Sequence, residues 1–318
     1  MASPPRFPLI DGPSPLHALQ RFSEAMGGRA EVWIKREDLL PLAFGGNKLR
    51  NLEFLIGAAL EEGADTLITS GRRWSNHARL TAAAGARAGL AVHLVLSGPP
   101  VDPPGPGIRL ARAFGAVVHQ LATSDRAERE ARVAQVVDDV VTGGGRPYVI
   151  GVGGTGAVGA FGQLLAAQEL EAQSADAGVT FDRVVLPTAT GGTQAGLLAG
   201  LPASIAVSGM VVARTADELR PVIGSTASAL GRDVDPALID FDQRFIGAGY
   251  GRRSETADEA ADLLARSEAI LVDPIYTAKA LAGLVAGVRS AAWDGERIAF
   301  WHAGGLPGLF EPLDEPAD

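Results

Sequence analysis

The segment LAFGGNKLRNLEFL, residues 42–55, places a lysine in a chain that uses almost none. Of the 28 basic residues only Lys35, Lys48 and Lys279 are lysine. A bias toward arginine explains the scarcity, but it does not explain which lysines remain. Arginine serves as a surface cation, whereas its guanidinium stays protonated and cannot act as an amine nucleophile. A cation is also unfavourable at the start of a helix, so we interpret Lys48 as a candidate reactive amine, with a solvated surface lysine as the alternative.

A second candidate site is the turn PTATGGTQAGLLAGL, residues 187–201. A β-branched run ends there, small residues follow, and a helix is predicted to begin. Such a turn directs free backbone N–H groups and the positive end of the helix dipole toward one point, which suits a phosphate. A simple helix cap needs fewer small residues than this turn contains. The predicted phosphate-binding residues are Thr188, Ala189, Thr190, Gly191, Gly192 and Thr193.

A third glycine-rich turn, IGVGGTGAVGAFG at 150–162, contains Gly151-x-Gly153-x-x-Gly156 and formally matches a dinucleotide-binding fingerprint. The acidic residue expected about 20 residues later at a strand end is absent, because Glu169 and Glu171 fall within a predicted helix. We therefore favour close packing of a helix on a strand as the role of these glycines. A nucleotide-dependent oxidoreductase remains an alternative.

The composition limits the classes of function. The chain is 47% apolar and carries a net charge of −9 without a basic block, so neither nucleic acid nor an anionic membrane is an expected partner. The absence of cysteine excludes disulfides, thiolate metal sites and a cysteine nucleophile. The five histidines show no metal-ligand spacing, and the first residues lack the apolar core of a signal peptide. We expect a cytoplasmic protein that holds no metal.

Short β-branched runs alternate with Ala- and Leu-rich helical patterns along the chain. This alternation predicts an α/β protein with mostly parallel, open, twisted sheets flanked by helices. Predicted strands span 31–35, 65–70, 91–97, 147–151, 183–188, 204–212 and 297–302. Predicted helices span 47–62, 75–89, 106–114, 125–140, 156–173, 191–200, 215–230, 255–268 and 276–289.

In combination these motifs resemble the D-cysteine desulfhydrase and 1-aminocyclopropane-1-carboxylate (ACC) deaminase family of pyridoxal-phosphate enzymes. The resemblance runs from IKREDLLPLAFGGNKLR through SNHARL, VVLPTATGGTQAGL, GAGYG and VDPIYTAKALAGL to FWHAGGLPGLF. It covers almost the whole chain in the same order. It implies the tryptophan-synthase-β-like fold, fold type II, with a large domain of 1–47 plus 161–318, a small domain of 48–160, and the active site in the cleft between them. A homodimer is a further family expectation.

The resemblance implies a role for each matching residue. Lys48 is expected to carry pyridoxal 5'-phosphate through its amine, and the 188–193 turn to hold the phosphate. Ser75, Asn76 and His77 would line the substrate carboxylate site, with Ser75 also a candidate in proton transfer and Asn76 near the cofactor ring oxygen. The remaining matches are Tyr250 and Tyr276, the two active-site tyrosines, and Thr277, which faces the pyridine nitrogen.

The sequence GRRWSNH departs from the family pattern, which usually has Gly-x-x-Gln before Ser-Asn. Arg72, Arg73 and Trp74 stand there instead, and we expect Arg73 and Trp74 to contribute to substrate binding. Two guanidinium groups would recognise a second acid group such as a sulfonate or a carboxylate. Alternatively, both arginines face solvent or a partner subunit. Ala303 also stands where the family usually has threonine.

The expected reaction is β-elimination from a small amino acid, giving a 2-keto acid and ammonia, as in D-cysteine desulfhydrase. Thr277 favours this choice, because the ACC deaminase branch has a glutamate at the position facing the ring nitrogen. The alternatives are ring opening of the ACC deaminase type, elimination of sulfonate from a cysteate-like substrate, and a cofactor-binding protein that has lost the family reaction. Among other charged groups, KRED at 35–38 is interpreted as a structural ion-pair corner and Lys279 as a salt-bridging residue.

Overall fold

A computed structural model describes residues 3–313 as two β-sheets covered by α-helices. The strands are β1 (Leu16–Ala18), β2 (Glu31–Arg36), β3 (Thr66–Arg72), β4 (Ala91–Ser97), β5 (Val117–Leu121), β6 (Pro147–Ile150), β7 (Arg183–Thr188), β8 (Ala206–Val211), β9 (Phe241–Asp242) and β10 (Arg297–His302). The helices are α1 (Gln20–Ala25), α2 (Lys48–Glu61), α3 (Asn76–Ala88), α4 (Pro106–Ala113), α5 (Arg126–Thr142), α6 (Ala157–Ala177), α7 (Gly192–Gly200), α8 (Ala216–Ala229), α9 (Glu255–Glu268) and α10 (Thr277–Arg289).

The larger sheet has the order β1-β2-β10-β7-β8-β9, and the smaller has the order β5-β4-β3-β6. The pairing of β1 with β2 is antiparallel and the other pairings in both sheets are parallel. Parallel strands are buried on both faces, which explains why most residues of β3 and β7 are buried and do not alternate with exposed ones. The fold is therefore α/β with mostly parallel sheets, as the sequence predicts.

The long elements lie within a few residues of their predicted limits, and four short ones were not predicted. These are β1, α1, β5 and β9, of three, six, five and two residues. The sequence of β5, VVHQL, carries two polar residues, and each residue of this edge strand is exposed or half-buried. Such segments give little periodicity, since tertiary pairing rather than local pattern makes them strands.

The two sheets have separate cores. One cluster packs α2, α3 and α4 on the smaller sheet, and the largest cluster packs α1, α9 and α10 on the larger. The strands of the smaller sheet fall between residues 66 and 150, but Leu9, Ile10 and Leu40 also join its core. The domain limits at 47/48 and 160/161 stay a prediction. Within residues 3–313 no helix has the length and apolarity needed to cross a membrane.

Candidate active site

A cavity of about 490 Å³ lies at the carboxyl ends of strands from both sheets. Residues that follow β3, β6, β7, β8 and β10 line it, which is the usual ligand position in open α/β sheets. Helices α2, α3, α7 and α10 begin at or beside the cavity. Four positive dipole ends therefore point toward it, an arrangement that favours anionic ligands.

The turn before α2 places Lys48 in this cavity. Ala43, Phe44, Gly45 and Gly46 all have positive φ, from 49° to 126°, although the first two carry side chains. Such a run costs free energy and persists only where neighbouring structure fixes it. A Cβ at Gly45 would lie 2.8 Å from the carbonyl oxygen of Leu40, too close for any larger residue. The strained turn is thus a specific device that brings α2 into the cavity at its first residue.

Lys48 is half-buried, and its amine makes no hydrogen bond or ion pair with any residue in the range 3–313. Desolvation by burial lowers its pKa to about 8. A larger fraction of the amine is therefore neutral near neutral pH than in an ordinary lysine. An unpaired, partly desolvated amine in a cavity has the properties of a nucleophile.

Buried ion pairs anchor this part of α2. Arg50 donates to both oxygens of Glu37, at 3.0 and 2.9 Å, and to Glu169 at 2.6 and 2.8 Å. Lys35 pairs with Glu169, and the backbone carbonyl of Glu37 accepts from Gly46 N at 2.8 Å. These contacts confirm that KRED is a structural ion-pair corner. They connect β2 to the turn that carries Lys48.

Asn47, to which the sequence assigned no role, joins that turn to the predicted phosphate turn. Its side-chain nitrogen donates to Thr193 Oγ1 at 2.9 Å, and Gln163 donates to its carbonyl oxygen at 2.7 Å. Gln163 also bonds Asn51, which in turn donates to the carbonyl of Gly154 at 3.1 Å. A buried amide network therefore fixes the relative position of Lys48 and two glycine-rich turns.

The predicted phosphate turn lies between the end of β7 and the start of α7. Thr190 Oγ1 accepts from Thr155 at 2.8 Å, and Gly191 has φ of 89° beside Ile223. Thr188 is less suited to bind an anion, because its hydroxyl donates to Gln194 Oε1 and the residue is only 2% exposed. Five of the six predicted residues line the cavity, and Gly192 does not. Thr190, Thr193 and the start of α7 are the groups best placed for an anion.

The residues that line the cavity fit a cofactor that carries an aldehyde and a phosphate. The cavity offers one unpaired amine, and a strand-to-helix turn with helix dipoles offers an anion seat. The left-handed glycine at 191 has no space for a Cβ, which would lie 2.7 Å from Ile223. Among residues 3–313 no group of three His, Asp or Glu is placed to hold a metal ion.

Ser75, Asn76 and His77 line the cavity at the start of α3. Ser75 is the N-cap, and its Oγ accepts from Ala78 N at 3.2 Å. Thr69 donates its one hydroxyl hydrogen to Ile150 O, so His77 Nε2 must donate to Thr69 Oγ1, 3.1 Å away. Burial and the charge of Lys48 lower the pKa of His77 to about 3. His77 is therefore neutral at ordinary pH, so it does not serve as a general acid.

Tyr250 and Tyr276 lie together at the cavity, where their hydroxyl groups share a hydrogen bond and burial raises both pKa values. Thr277 follows as the first residue of α10. Its hydroxyl has Asp273 Oδ2 as the nearer acceptor, at 2.7 Å, and Gly304 O at 3.2 Å. Asp273 also accepts from the backbone nitrogens of residues 275–277, so it fixes both Tyr276 and Thr277.

The structure corrects the predicted role of the segment 72–74. Arg73 and Trp74 do not line the cavity, whereas Arg72 does. Arg73 is directed toward the C-terminal segment, where it donates to Pro312 O and contacts Glu311. The guanidiniums of Arg72 and Arg73 lie 5.1 and 4.9 Å from the centre of the Trp74 ring, and Trp74 packs edge-on against Tyr250. Arg73 and Trp74 therefore support the site without reaching its interior.

The sequence also missed several cavity residues, namely Val152, Gly153, Arg126, Arg129, Arg214 and Glu218. The first two show that the 150–162 turn has a double role. A Cβ at Gly153 would lie 2.6 Å from Thr190 Oγ1, while one at Gly159 would be 3.2 Å from Asn51 Nδ2. Packing therefore explains most of the glycines, and Gly153 also borders the phosphate turn.

Lys279 does not form the predicted salt bridge. Its Nζ donates to the carbonyls of Ile246 and Gly249, at 2.6 and 2.8 Å. A carboxylate partner was expected because cations are usually paired with charges, but here backbone carbonyls satisfy the ammonium. Lys279 thereby fixes the loop that carries Tyr250.

Replacement of the buried Lys279 by methionine is expected to lower the free energy of unfolding by about 2–3 kcal/mol, since two half-buried residues lose the charged donor to their carbonyls. The melting curve in denaturant measures this loss. Arg253→Ala serves as the control, because its pair with Asp258 is exposed and contributes less than about 1 kcal/mol. Equal losses in the two variants would show that Lys279 does not anchor the loop.

Comparison with known proteins shows the family and the fold of the chain. The family of pyridoxal-phosphate dependent enzymes matches residues 8–304. The D-cysteine desulfhydrase of Yersinia enterocolitica serotype O:8 / biotype 1B (strain NCTC 13174 / 8081) is 39% identical over 322 residues, covering 98% of this chain and 96% of that protein. The crystal structure of an ACC deaminase homologue has a TM-score of 0.89 at 34% identity and covers 97% of this chain and 94% of its own. A serine racemase from Dictyostelium discoideum, at 17% identity, TM-score 0.66 and 92% coverage of both chains, shares the fold.

Proposed function

The chain belongs to the family of pyridoxal-phosphate-dependent enzymes, and on that premise we propose that it catalyses β-elimination from a small amino acid. The products are a 2-keto acid and ammonia, together with the group that leaves the β-carbon. D-cysteine is the first substrate to test, because D-cysteine desulfhydrases are 39% identical to this chain along nearly its whole length.

The observation that carries this proposal is the state of Lys48. Its amine is unpaired within residues 3–313, is partly desolvated, and stands at the start of α2 in the main cavity. We propose that Lys48 Nζ would hold the cofactor through its aldehyde, and that this amine, when free, would take the Cα proton of the substrate. When bound, the pyridoxal ring supplies an electron sink for the Cα–H electrons.

The other predicted residues bind and orient in this proposal. Asn76 supports the ring, and Thr190, Thr193 and the N–H groups at the start of α7 hold the phosphate. The N-terminus of α3, with Ser75, binds the substrate carboxylate, and Ser75 remains a candidate for proton transfer. Tyr250 and Tyr276 border the same space, where their raised pKa values keep both phenols protonated.

Thr277 supports elimination over ring opening. Its hydroxyl faces the cavity while its hydrogen has Asp273 as the nearer acceptor. Of the carboxylates in residues 3–313, only Glu218 lines the cavity, and it bonds Thr215 instead. A carboxylate opposite the ring nitrogen would keep it protonated and prolong the life of a carbanion, whereas a hydroxyl does so less and suits rapid loss of a leaving group.

A screen of D- and L-amino acids with the cofactor-loaded enzyme tests the proposal. We expect 2-keto acid and ammonia in equal amounts from amino acids with a leaving group on the β-carbon. D-cysteine should also yield sulfide, and 1-aminocyclopropane-1-carboxylate should give no product. Product from the cyclopropane substrate alone would favour ring opening instead. The absence of product from every amino acid would indicate a cofactor-binding protein that has lost the reaction.

We further propose that the enzyme works in the cytoplasm as a homodimer in amino-acid metabolism. The location rests on the composition, and the dimer rests on the family resemblance. Cell fractionation tests the location, and light scattering coupled to gel filtration tests the dimer. A monomeric mass at working concentrations would exclude the dimer.

A further inference from the structure

The cavity is strongly cationic although the chain carries a net charge of −9. Its charged lining within residues 3–313 consists of five cations and one carboxylate, namely Lys48, Arg72, Arg126, Arg129, Arg214 and Glu218. A cofactor phosphate accounts for part of this excess, and the substrate carboxylate accounts for another part. The remaining question is which cations have a partner within the protein.

Arg126 and Arg214 are two of the four arginines that line the cavity, and we call them the rim arginines. Arg126 pairs with Glu130 at 2.7 Å, and both side chains are exposed. Hydrogen bonds from Thr215, and then the charges of Arg214 and Arg126, lower the pKa of Glu218. Neither Arg126 nor Arg214 has a buried side-chain nitrogen that lacks a hydrogen-bond partner within residues 3–313.

Arg72 and Arg129 form a different pair, which we call the inner arginine pair. Arg72 makes no hydrogen bond or ion pair with any residue of the described range 3–313, and its Nε is buried without a partner. Arg129 has one neutral bond to Ser97 Oγ, at 3.1 Å, and its Nε is also buried and unpartnered. Ser97 is the β4 register partner of Arg72 and also accepts the hydrogen bond of Arg129, so the two arginines extend from neighbouring positions into the same cavity.

Two half-buried guanidiniums without a counter-ion are costly, because neither charge is fully solvated or paired. The structure nevertheless holds them in place. Arg72 is the last residue of β3 and stacks on Trp74, and Trp74 packs against Tyr250, with 5.8 Å between ring centres. Arg72 is therefore connected to Tyr250 through Trp74, and both arginines line the cavity that the two tyrosines also line.

We propose that the inner arginine pair binds a tetrahedral oxyanion on the β-carbon of the substrate, so that the preferred substrates are amino acids carrying a sulfonate or a phosphate there. Arginine forms short, charge-assisted and often bidentate hydrogen bonds with such groups. The inference rests on the proposed β-elimination and specifies its substrate class. The sequence analysis expected Arg73 to contribute to substrate binding, whereas the proposed anion site uses Arg72 and Arg129, which lies in α5.

The reaction balances without an oxidant or a reductant. For a sulfonate, the Cα–H bond breaks and the proton passes to Lys48 Nζ, while the Cβ–S bond breaks and its electron pair leaves with sulfite. The released enamine tautomerises to an imine, which water hydrolyses to pyruvate and ammonia. Amino acid and one water thus give pyruvate, ammonia and sulfite, and a phosphate ester gives inorganic phosphate in the same way. The guanidiniums stabilise the negative charge that grows on the leaving group.

The test compares kcat/KM for cysteate and O-phosphoserine, as both stereoisomers, with kcat/KM for neutral cysteine and β-chloroalanine. The wild-type enzyme should prefer the anionic substrates, and Arg72→Gln and Arg129→Gln should each reduce the ratio of anionic to neutral kcat/KM by about 10- to 100-fold. Arg132→Gln is the matched control, since Arg132 lies one turn further along α5 and does not line the cavity. Its ratio should change less than about threefold.

A binding measurement separates this inference from the proposed reaction. The probe is 3-sulfopropanoate, which carries both acid groups but has no amine to react. Calorimetry with cofactor-loaded protein should detect it in the wild type and show about tenfold weaker binding in Arg72→Gln. If the protein bound 3-sulfopropanoate tightly but turned over no amino acid, the proposed β-elimination would be wrong and the anion site at the inner arginine pair would stand. Turnover of neutral substrates, with no preference for anionic ones and no response to either arginine, would overturn the anion site alone.

Discussion

Replacement of Lys48 by arginine is expected to abolish turnover, lowering kcat/KM by at least about 10³-fold. The substitution keeps a cation at the start of α2 and removes only the amine. A guanidinium stays protonated, so it can neither join an aldehyde nor accept the Cα proton. The visible absorbance of the covalently held cofactor should disappear as well. Initial rates and the absorbance spectrum of the dialysed protein measure both effects.

Lys48→Ala completes this experiment, because it removes the charge in addition to the amine. The lysine amine has no partner within residues 3–313 and its pKa is already lowered to about 8, so its loss should not destabilise the cofactor-free protein. Denaturant curves of the cofactor-free proteins should therefore show the alanine variant to be at least as stable as the wild type. Loss of activity together with unfolding would instead mean that Lys48 has a structural role.

The second large effect is expected at Glu37, the fully buried carboxylate of the ion-pair corner. Glu37→Ala should lower the free energy of unfolding by about 3–5 kcal/mol, because it leaves the Arg50 guanidinium buried with one of its two carboxylates missing. The hydroxyl of Ser14 also loses its nearer acceptor and keeps only Glu169 Oε1, 3.4 Å away. Since Gly46 bonds the Glu37 backbone, the turn at Lys48 should loosen too. Urea denaturation measures the first effect, and the affinity for the cofactor measures the second.

Asp262→Ala is the control for Glu37, because its pair with Arg266 has the same charges on an exposed helix surface. That variant should lose less than about 0.5 kcal/mol of the free energy of unfolding.

The pH dependence of stability supplies a further test of the ion-pair corner, through Glu169. Burial alone would raise its pKa, but Arg50 and Lys35 outweigh this and lower it below 4.5. Its stabilising contribution is therefore complete above the unfolded pKa and is lost as pH falls through the lowered folded value. A loss at Glu37 as small as that at Asp262 would contradict a structural role for the corner.

Long periodic elements could be predicted from the sequence because their patterns are local. β7 was predicted at its observed limits, and α2 within one residue of them. It is harder to predict which side chains near the end of a strand face the cavity. Arg72 ends β3 and Arg73 follows it, and only the tertiary packing decides that Arg72 lines the cavity while Arg73 contacts the C-terminal segment.

The missing parts of the site come from distant segments. Arg129 lies in a helix whose sequence, SDRAERE, matches a solvated surface helix capped by Asp125. Its position at the cavity follows from how α5 packs beside β3 and β4, which no local pattern encodes. Asn47 and Lys279 were missed or misassigned for the same reason, since their partners are Thr193 and two backbone carbonyls far along the chain.

The central claim, that Lys48 carries the cofactor, has a direct test in borohydride reduction of the cofactor-loaded protein followed by peptide mapping. The label should be found on the peptide that contains Lys48, and its rate of attachment to cofactor-free protein should rise with pH through about 8. Lys35 and Lys279 are the chain's other lysines and act as internal controls. A label on either of them, or no label on protein that turns over substrate, would contradict the account.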